Sequence, residues 1–200
     1  MESRVSFESD GHLLDGLLEK NDTTKAIIIT HPHPLYGGEM HNPVVSTAKE
    51  AFADKGFTTL RFNFRGTGDS EGNHDDGNGE KRDVVAAITF LVNEGYAEIN
   101  LAGYSFGAWV NLMAAATIDL QINELFLISP PVDFIKFVPV NNISSLRLVV
   151  AGDRDEYASF NHVQALAPQW NSETVIEKIP NGDHFYSGRL DALKEILYNI

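Results

Sequence analysis

Apolar residues in this chain gather into short runs, and the stretches between them carry apolar positions at helical spacing. Runs at 26–30, 57–62, 99–102, 125–128, 146–151 and 175–179 are rich in Ile, Leu, Val and Phe. Apolar runs of this length, bounded by turn residues, read as strands buried on both faces, the kind found in parallel sheets. Between them, segments 43–55, 81–94, 108–118, 160–167 and 189–198 read as helices. At the start, 5–8 and 13–19 flank Asp10-Gly11, a pair suited to the positive φ of a tight hairpin, so two antiparallel strands are expected first. The order predicts one α/β domain over 1–200, a doubly wound, mostly parallel sheet led by an antiparallel hairpin. Two connections are long: a polar, glycine-bearing one at 69–79 and an apolar, irregular one at 130–145. Ligands of open α/β sheets bind beyond the carboxyl ends of the strands, so the residues following each run are where chemistry is expected.

One such junction reads Gly103-Tyr104-Ser105-Phe106-Gly107. Gly-x-Ser-x-Gly is the nucleophile elbow, a strained strand-to-helix turn that exposes the serine, with glycines where backbone passes close by. The spacing alone arises by chance in about one chain in ten of this length. Context decides: the apolar run 99–102 precedes the pentad and the helix formers of 108–116 follow it, giving the strand, turn and helix that the motif requires.

A serine hydroxyl needs a base, and a histidine oriented by a carboxylate is the recurrent solution. In elbow hydrolases the chain order is serine, acid, histidine. Of the histidines beyond Ser105, His162 falls within a predicted helix, where a solvated position is expected, whereas His184 follows the last strand in Asn181-Gly182-Asp183-His184-Phe185. His184 is therefore the expected base. For the acid, Gly152-Asp153-Arg154-Asp155-Glu156 follows the run 146–151. Asp155 is preferred, Asp153 reading as a turn former and Glu156 as the more remote choice. The oxyanion hole is expected from the amide of Phe106 and one amide of His31-Pro32-His33-Pro34-Leu35. Proline has no N–H, which leaves His33 as the first choice and Leu35 as the alternative. His31 is read as structural. Tyr36, Phe106, Tyr157 and Phe185 neighbour these positions in sequence and form a possible apolar substrate pocket.

Composition narrows the classes. At 200 residues, 43% hydrophobic, the chain can bury a core without metals or disulfides, and it has no cysteine to make either a thiolate nucleophile or a disulfide. The formal net charge of −13 disfavours nucleic acid and anionic membrane as partners. The acidic first eleven residues do not resemble a secretory signal, so a cytoplasmic protein is expected, and the Asn-x-Ser/Thr triplets at 21–23 and 142–144 are discounted as glycosylation sites. The sequence leaves the oligomeric state open.

Elbow, residue order, strand pattern and the acid and histidine loops together resemble the α/β-hydrolase superfamily over nearly the whole chain. His31-Pro32-His33-Pro34 with Gly37-Gly38 is similar to its small, capless, bacterial-type branch, and differs from the better-known His-Gly-Gly-Gly loop of esterases. Arg65-Gly66-Thr67-Gly68-Asp69-Ser70 resembles an architectural loop of the same group. The resemblance implies a serine hydrolase, carboxylesterase-like, acting on a small acyl substrate without a cofactor or metal. Only about 17 residues separate the runs ending at Ile128 and starting at Leu146, too few for a full cap domain. Three rival readings exist. His31-x-His33 has the spacing of some zinc hydrolases, but no later series of histidines at strand ends completes a site. The glycines of 66–72 are misplaced for a dinucleotide fingerprint and sit beside Asp69 and Glu71. The third is a noncatalytic binding protein on the hydrolase fold.

Overall fold

Strand β3 (Lys25–Thr30) shows how the sheet is built: Ala26 and Ile28 enter one core cluster, Ile27 and Ile29 the other, and all four are fully buried. A strand packed on both faces needs an unbroken apolar run, which is why it was legible. The computed structural model describes residues 1–119, 121–137 and 140–200. Val138 and Pro139, within the irregular 130–145 connection, lie outside the described residues, as does Leu120.

Eight strands form one sheet in the order β1-β2-β4-β3-β5-β6-β7-β8. β1 (Ser3–Ser9) and β2 (His12–Glu19) make the predicted antiparallel hairpin, turning at Asp10 and Gly11 with φ of 53° and 80°. β2 also runs antiparallel to β4 (Thr58–Phe62). All other pairings, through β3, β5 (Glu98–Tyr104), β6 (Leu125–Ile128), β7 (Leu146–Gly152) and β8 (Val175–Ile179), are parallel. This is the α/β-hydrolase fold. Helices α1 (Pro43–Asp54) and α5 (Leu190–Asn199) cover one face, and α2 (Asn78–Asn93), α3 (Phe106–Thr117) and α4 (Phe160–Trp170) the other. Among the described residues no helix or strand lies between β6 and β7, and none forms a lid. No helix among them is long and apolar enough to cross a membrane.

Three helices differ from their predicted limits by two or more residues at one end. α2 begins three residues early because the Glu80 carboxylate, fully buried, reaches back to accept the amides of Gly77 (2.8 Å) and Asp75 (3.0 Å). α3 starts at Phe106, directly after the elbow serine. α4 continues through Pro168 to Trp170, whose indole is buried and stacks on Phe137 at 5.5 Å. That packing outweighs the hydrogen bond a proline removes.

The Arg65 loop ties the hairpin to the helical layer. The Arg65 guanidinium, buried, donates to Asp83 of α2 (2.7 and 3.1 Å), to Ser9 Oγ (3.2 Å) and to Asp10 (3.1 Å). Asp83 in turn accepts from the Arg65 amide (3.0 Å) and the Ser9 hydroxyl (2.7 Å).

Candidate active site

β5 ends at Tyr104 and α3 begins at Phe106, so Ser105 alone makes the turn, with φ 54° and ψ −118°. A non-glycine residue with such torsions costs about 1–3 kcal/mol and persists only where its surroundings fix it. The flanking glycines explain how. A Cβ at Gly103 would lie 2.6 Å from the Gly107 carbonyl group, and one at Gly107 would lie 2.5 Å from Thr30 Oγ1 and 2.7 Å from Thr30 O. Strand, elbow and helix therefore close on β3 only with glycine at both positions. The Ser105 amide donates to Ile128 O at the end of β6 (2.9 Å), which pins the turn to the sheet.

The loops after β7 and β8 bring the acid and the base to this serine. Ser105 donates its hydroxyl to His184 Nε2 (2.9 Å), and His184 Nδ1–H donates to both oxygens of Asp155 (2.9 Å each). Asp155 Oδ1 also accepts the amides of Tyr157 (2.9 Å) and Ala158 (2.8 Å), which fixes its plane. Ser105, Asp155 and His184 are all buried. Tyr104, the elbow residue before the serine, donates its hydroxyl to His184 O (2.8 Å). Burial and the negative charge of Asp155 raise its pKa, keeping it a neutral donor. The two loops are also joined to each other. Asp153, expected as a local turn former, instead accepts the amide of Asn181 across the gap (2.7 Å), and Arg154 N–H donates to Gly182 O (2.9 Å).

On the opposite side lies the loop after β3. His31 Nδ1–H donates to Pro32 O (2.7 Å) and Nε2 accepts the Phe64 amide (3.0 Å), so both ring nitrogens are used in holding this loop to the end of β4 and neither is free for a metal. Full burial lowers its pKa to about 4. An unfolded histidine takes up its proton near pH 6.5, so the stability due to a neutral His31 is complete above that pH and is lost as pH falls toward 4. Urea unfolding should show a loss of roughly 3 kcal/mol across this window. The acid-dependent part should shrink in His31→Gln, and an unchanged pH slope in that variant would assign the acid sensitivity to another group.

The remaining amides of this loop are mostly committed. Leu35 N–H donates to His33 Nδ1 (3.3 Å), Tyr36 and Gly38 to His33 O (3.1 and 3.0 Å) and Gly37 to Pro34 O (3.0 Å). The His33 amide makes no hydrogen bond among the described residues, nor does that of Phe106, which as the first residue of α3 has no intrahelical acceptor. The His33 and Phe106 rings pack at 4.7 Å, and both rest on His74 from the 69–79 connection (5.0 and 5.5 Å).

These loops enclose a cavity of about 250 Å³ that reaches Ser105 and His184. Of the residues predicted for its wall, Tyr36, Phe106, Tyr157 and Phe185 all line it; Phe106 is buried, while Tyr36 and Phe185 stand largely exposed at the mouth. Phe134, Ile135 and Pro131, not expected from the sequence, complete the wall, as do Asn42 and Tyr104. The apolar character of 130–145 was the available signal for the first three. Phe134 packs edge-on against Tyr36 (5.8 Å) and Tyr157 (5.6 Å), and Tyr157 lies 4.9 Å from the His184 ring. His162, expected as a solvated helix position, lies on α4 outside the cavity lining, half-exposed and paired with Asp133 at 2.8 Å.

Comparison with known proteins agrees with this architecture. The family model described as X-Pro dipeptidyl-peptidase (S15 family) matches residues 18–171. An uncharacterized protein of Rickettsia prowazekii (strain Madrid E) is 37% identical over 195 residues, covering 92% of this chain and 82% of its own. An α/β serine hydrolase homologue from Coxiella burnetii superposes with a TM-score of 0.92 at 34% identity, covering 98% of this chain and 96% of that one. A lidless α/β serine hydrolase from Xanthomonas campestris gives 0.90 at 31% identity, covering 99% and 92%. Sheet, elbow and match together place this chain in the X-Pro dipeptidyl-peptidase (S15) family, among the lidless α/β serine hydrolases.

Proposed function

We propose that this chain is a carboxylesterase-like serine hydrolase that cleaves small ester or thioester substrates through an acyl-enzyme. The observation that carries the reading is the continuous hydrogen-bonded chain from Asp155 through His184 to Ser105 Oγ, opening on an apolar cavity. Ser105 attacks the acyl carbonyl while His184 Nε2 takes its proton. Asp155, an acceptor only, holds Nδ1 protonated and stabilises the imidazolium that forms. His184 then delivers the proton to the leaving group, and water repeats the sequence to release the acid. The amides of Phe106 and His33 receive the oxyanion, where each such donor is worth about 10²–10³ in rate.

The cavity's chemistry favours a neutral acyl group over the peptide that the family description names. An X-Pro dipeptide presents a cationic α-amino group, costly to bury without an anion. No Asp or Glu is among the residues lining the cavity. At about 250 Å³ it lies at the small end of ligand pockets. A panel of 4-nitrophenyl esters of rising acyl length, with one thioester and one X-Pro nitroanilide, tests the reading. Short acyl and phenylacetyl esters should turn over fastest, the thioester should turn over too, and the anilide should lag by at least about 100-fold, the size of an unpaired buried charge. Preference for the anilide would replace the esterase reading with the peptidase one.

A further inference from the structure

The segment that completes the cavity wall is fastened to the turn that carries Asp155, and one residue does the fastening. Asp133 donates its amide to Tyr157 O (3.0 Å), and its carboxylate accepts the Ser159 amide (2.7 Å) and His162 Nδ1–H (2.8 Å). Ser159 is the N-cap of α4 and its own side chain makes no capping bond, while Asp133 accepts the N-cap amide from a separate segment, the part that an N3 carboxylate plays in a capping box. Tyr157 donates its amide to Asp155 and accepts the Asp133 amide at its carbonyl. Next to Asp133, Phe134 and Ile135 both donate their amides to Pro131 O (3.0 and 2.9 Å), forming a tight turn whose side chains face the cavity.

On the serine-hydrolase reading above, we propose that Asp133 is a positioning residue that locks the acyl-selecting wall to the Asp155 turn, so that wall and acid act as one unit in a fold without a lid. The carboxylate bond to the Ser159 amide is the part of the lock that the side chain supplies, since the Asp133 N–H bond to Tyr157 O is made by backbone alone. His162, half-exposed, adds little, since exposed ion pairs contribute marginally. With the lock released, Phe134 no longer holds its place between Tyr36 and Tyr157, and a bulky acyl group loses its aromatic contact while an acetyl group loses almost nothing.

The test compares 4-nitrophenyl phenylacetate with 4-nitrophenyl acetate in Asp133→Ala and Asp133→Asn. The alanine variant should raise KM for phenylacetate about fivefold relative to acetate, the scale of one aromatic pair. It should lower kcat by a common factor on both esters. Asparagine keeps an acceptor oxygen for Ser159 N–H and should restore the KM ratio to within about twofold of wild type. Amide exchange provides an arm independent of turnover: in Asp133→Ala, residues 131–135 and 157–159 should exchange faster together while α1 and α5 stay protected. An unchanged KM ratio in the alanine variant, no rescue by asparagine, or acceleration confined to one segment overturns the lock. If wild type hydrolyses neither ester, the esterase reading fails, and the exchange pattern alone decides the role of Asp133.

Discussion

Ser105→Ala is expected to lower kcat/KM on the best ester by about 10⁵- to 10⁶-fold while the protein stays folded. The hydroxyl removed is the atom that forms the acyl bond, and the residual rate comes from the oxyanion amides and the cavity acting on water. Stability should change by no more than about 1 kcal/mol. The hydroxyl contributes one hydrogen bond, to His184, and the strained torsions of position 105 are imposed by Gly103, Gly107 and the end of β3 rather than by the serine side chain. Steady-state kinetics and a thermal melt measure the two halves. Turnover within about tenfold of wild type in the folded variant removes Ser105 from the mechanism.

Asp155→Asn should cost on the order of 10⁴ in kcat. The reason lies in the hydrogen bonds around the carboxylate. Tyr157 and Ala158 both donate to Oδ1, so an asparagine turns its oxygen toward those amides and its NH₂ toward His184 Nδ1. The imidazole then accepts at Nδ1 and carries its proton on Nε2, where it faces the Ser105 hydroxyl as a donor and cannot act as a base. The neighbouring acid offers no substitute, because the Asp153 carboxylate is committed to the Asn181 amide. Kinetics of Asp155→Asn and Asp153→Asn decide between the two acids. A loss below about tenfold for the first, or a larger loss for the second, moves the acid role away from Asp155.

The parts of this molecule that were legible in the sequence are those in which a local rule and the tertiary structure coincide. β3 and β5 through β7 are buried on both faces, so burial writes a continuous apolar run into each. Ser105 and Asp155 each follow such a run, and His184 follows β8, the edge strand, where Glu177 and Lys178 are exposed; strand ends in a parallel sheet converge on one edge, so proximity follows from the topology. His31 was legible for a similar reason, since a ring at a strand end next to a proline loop has a neighbouring strand to bind. The contacts that escaped join segments with no shared periodicity. Nothing in the sequence near Asp153 points to Asn181, and nothing near Asp133 points to the amide of Ser159. Phe134 reads as one apolar residue in an irregular stretch until Tyr36 and Tyr157 are seen on either side of it. Helix ends behaved in the same way: Pro168 marks a stop by local preference, and the burial of Trp170 carries α4 past it.

If Ser105 is an activated nucleophile, covalent labelling reveals it without a known substrate. Folded wild-type protein treated with a fluorophosphonate should gain one adduct, located by peptide mass spectrometry on Ser105, with labelling absent in Ser105→Ala and much slower in Asp155→Asn. Folded protein that takes no adduct, or takes it on another serine, contradicts the account and leaves a binding protein on a hydrolase fold.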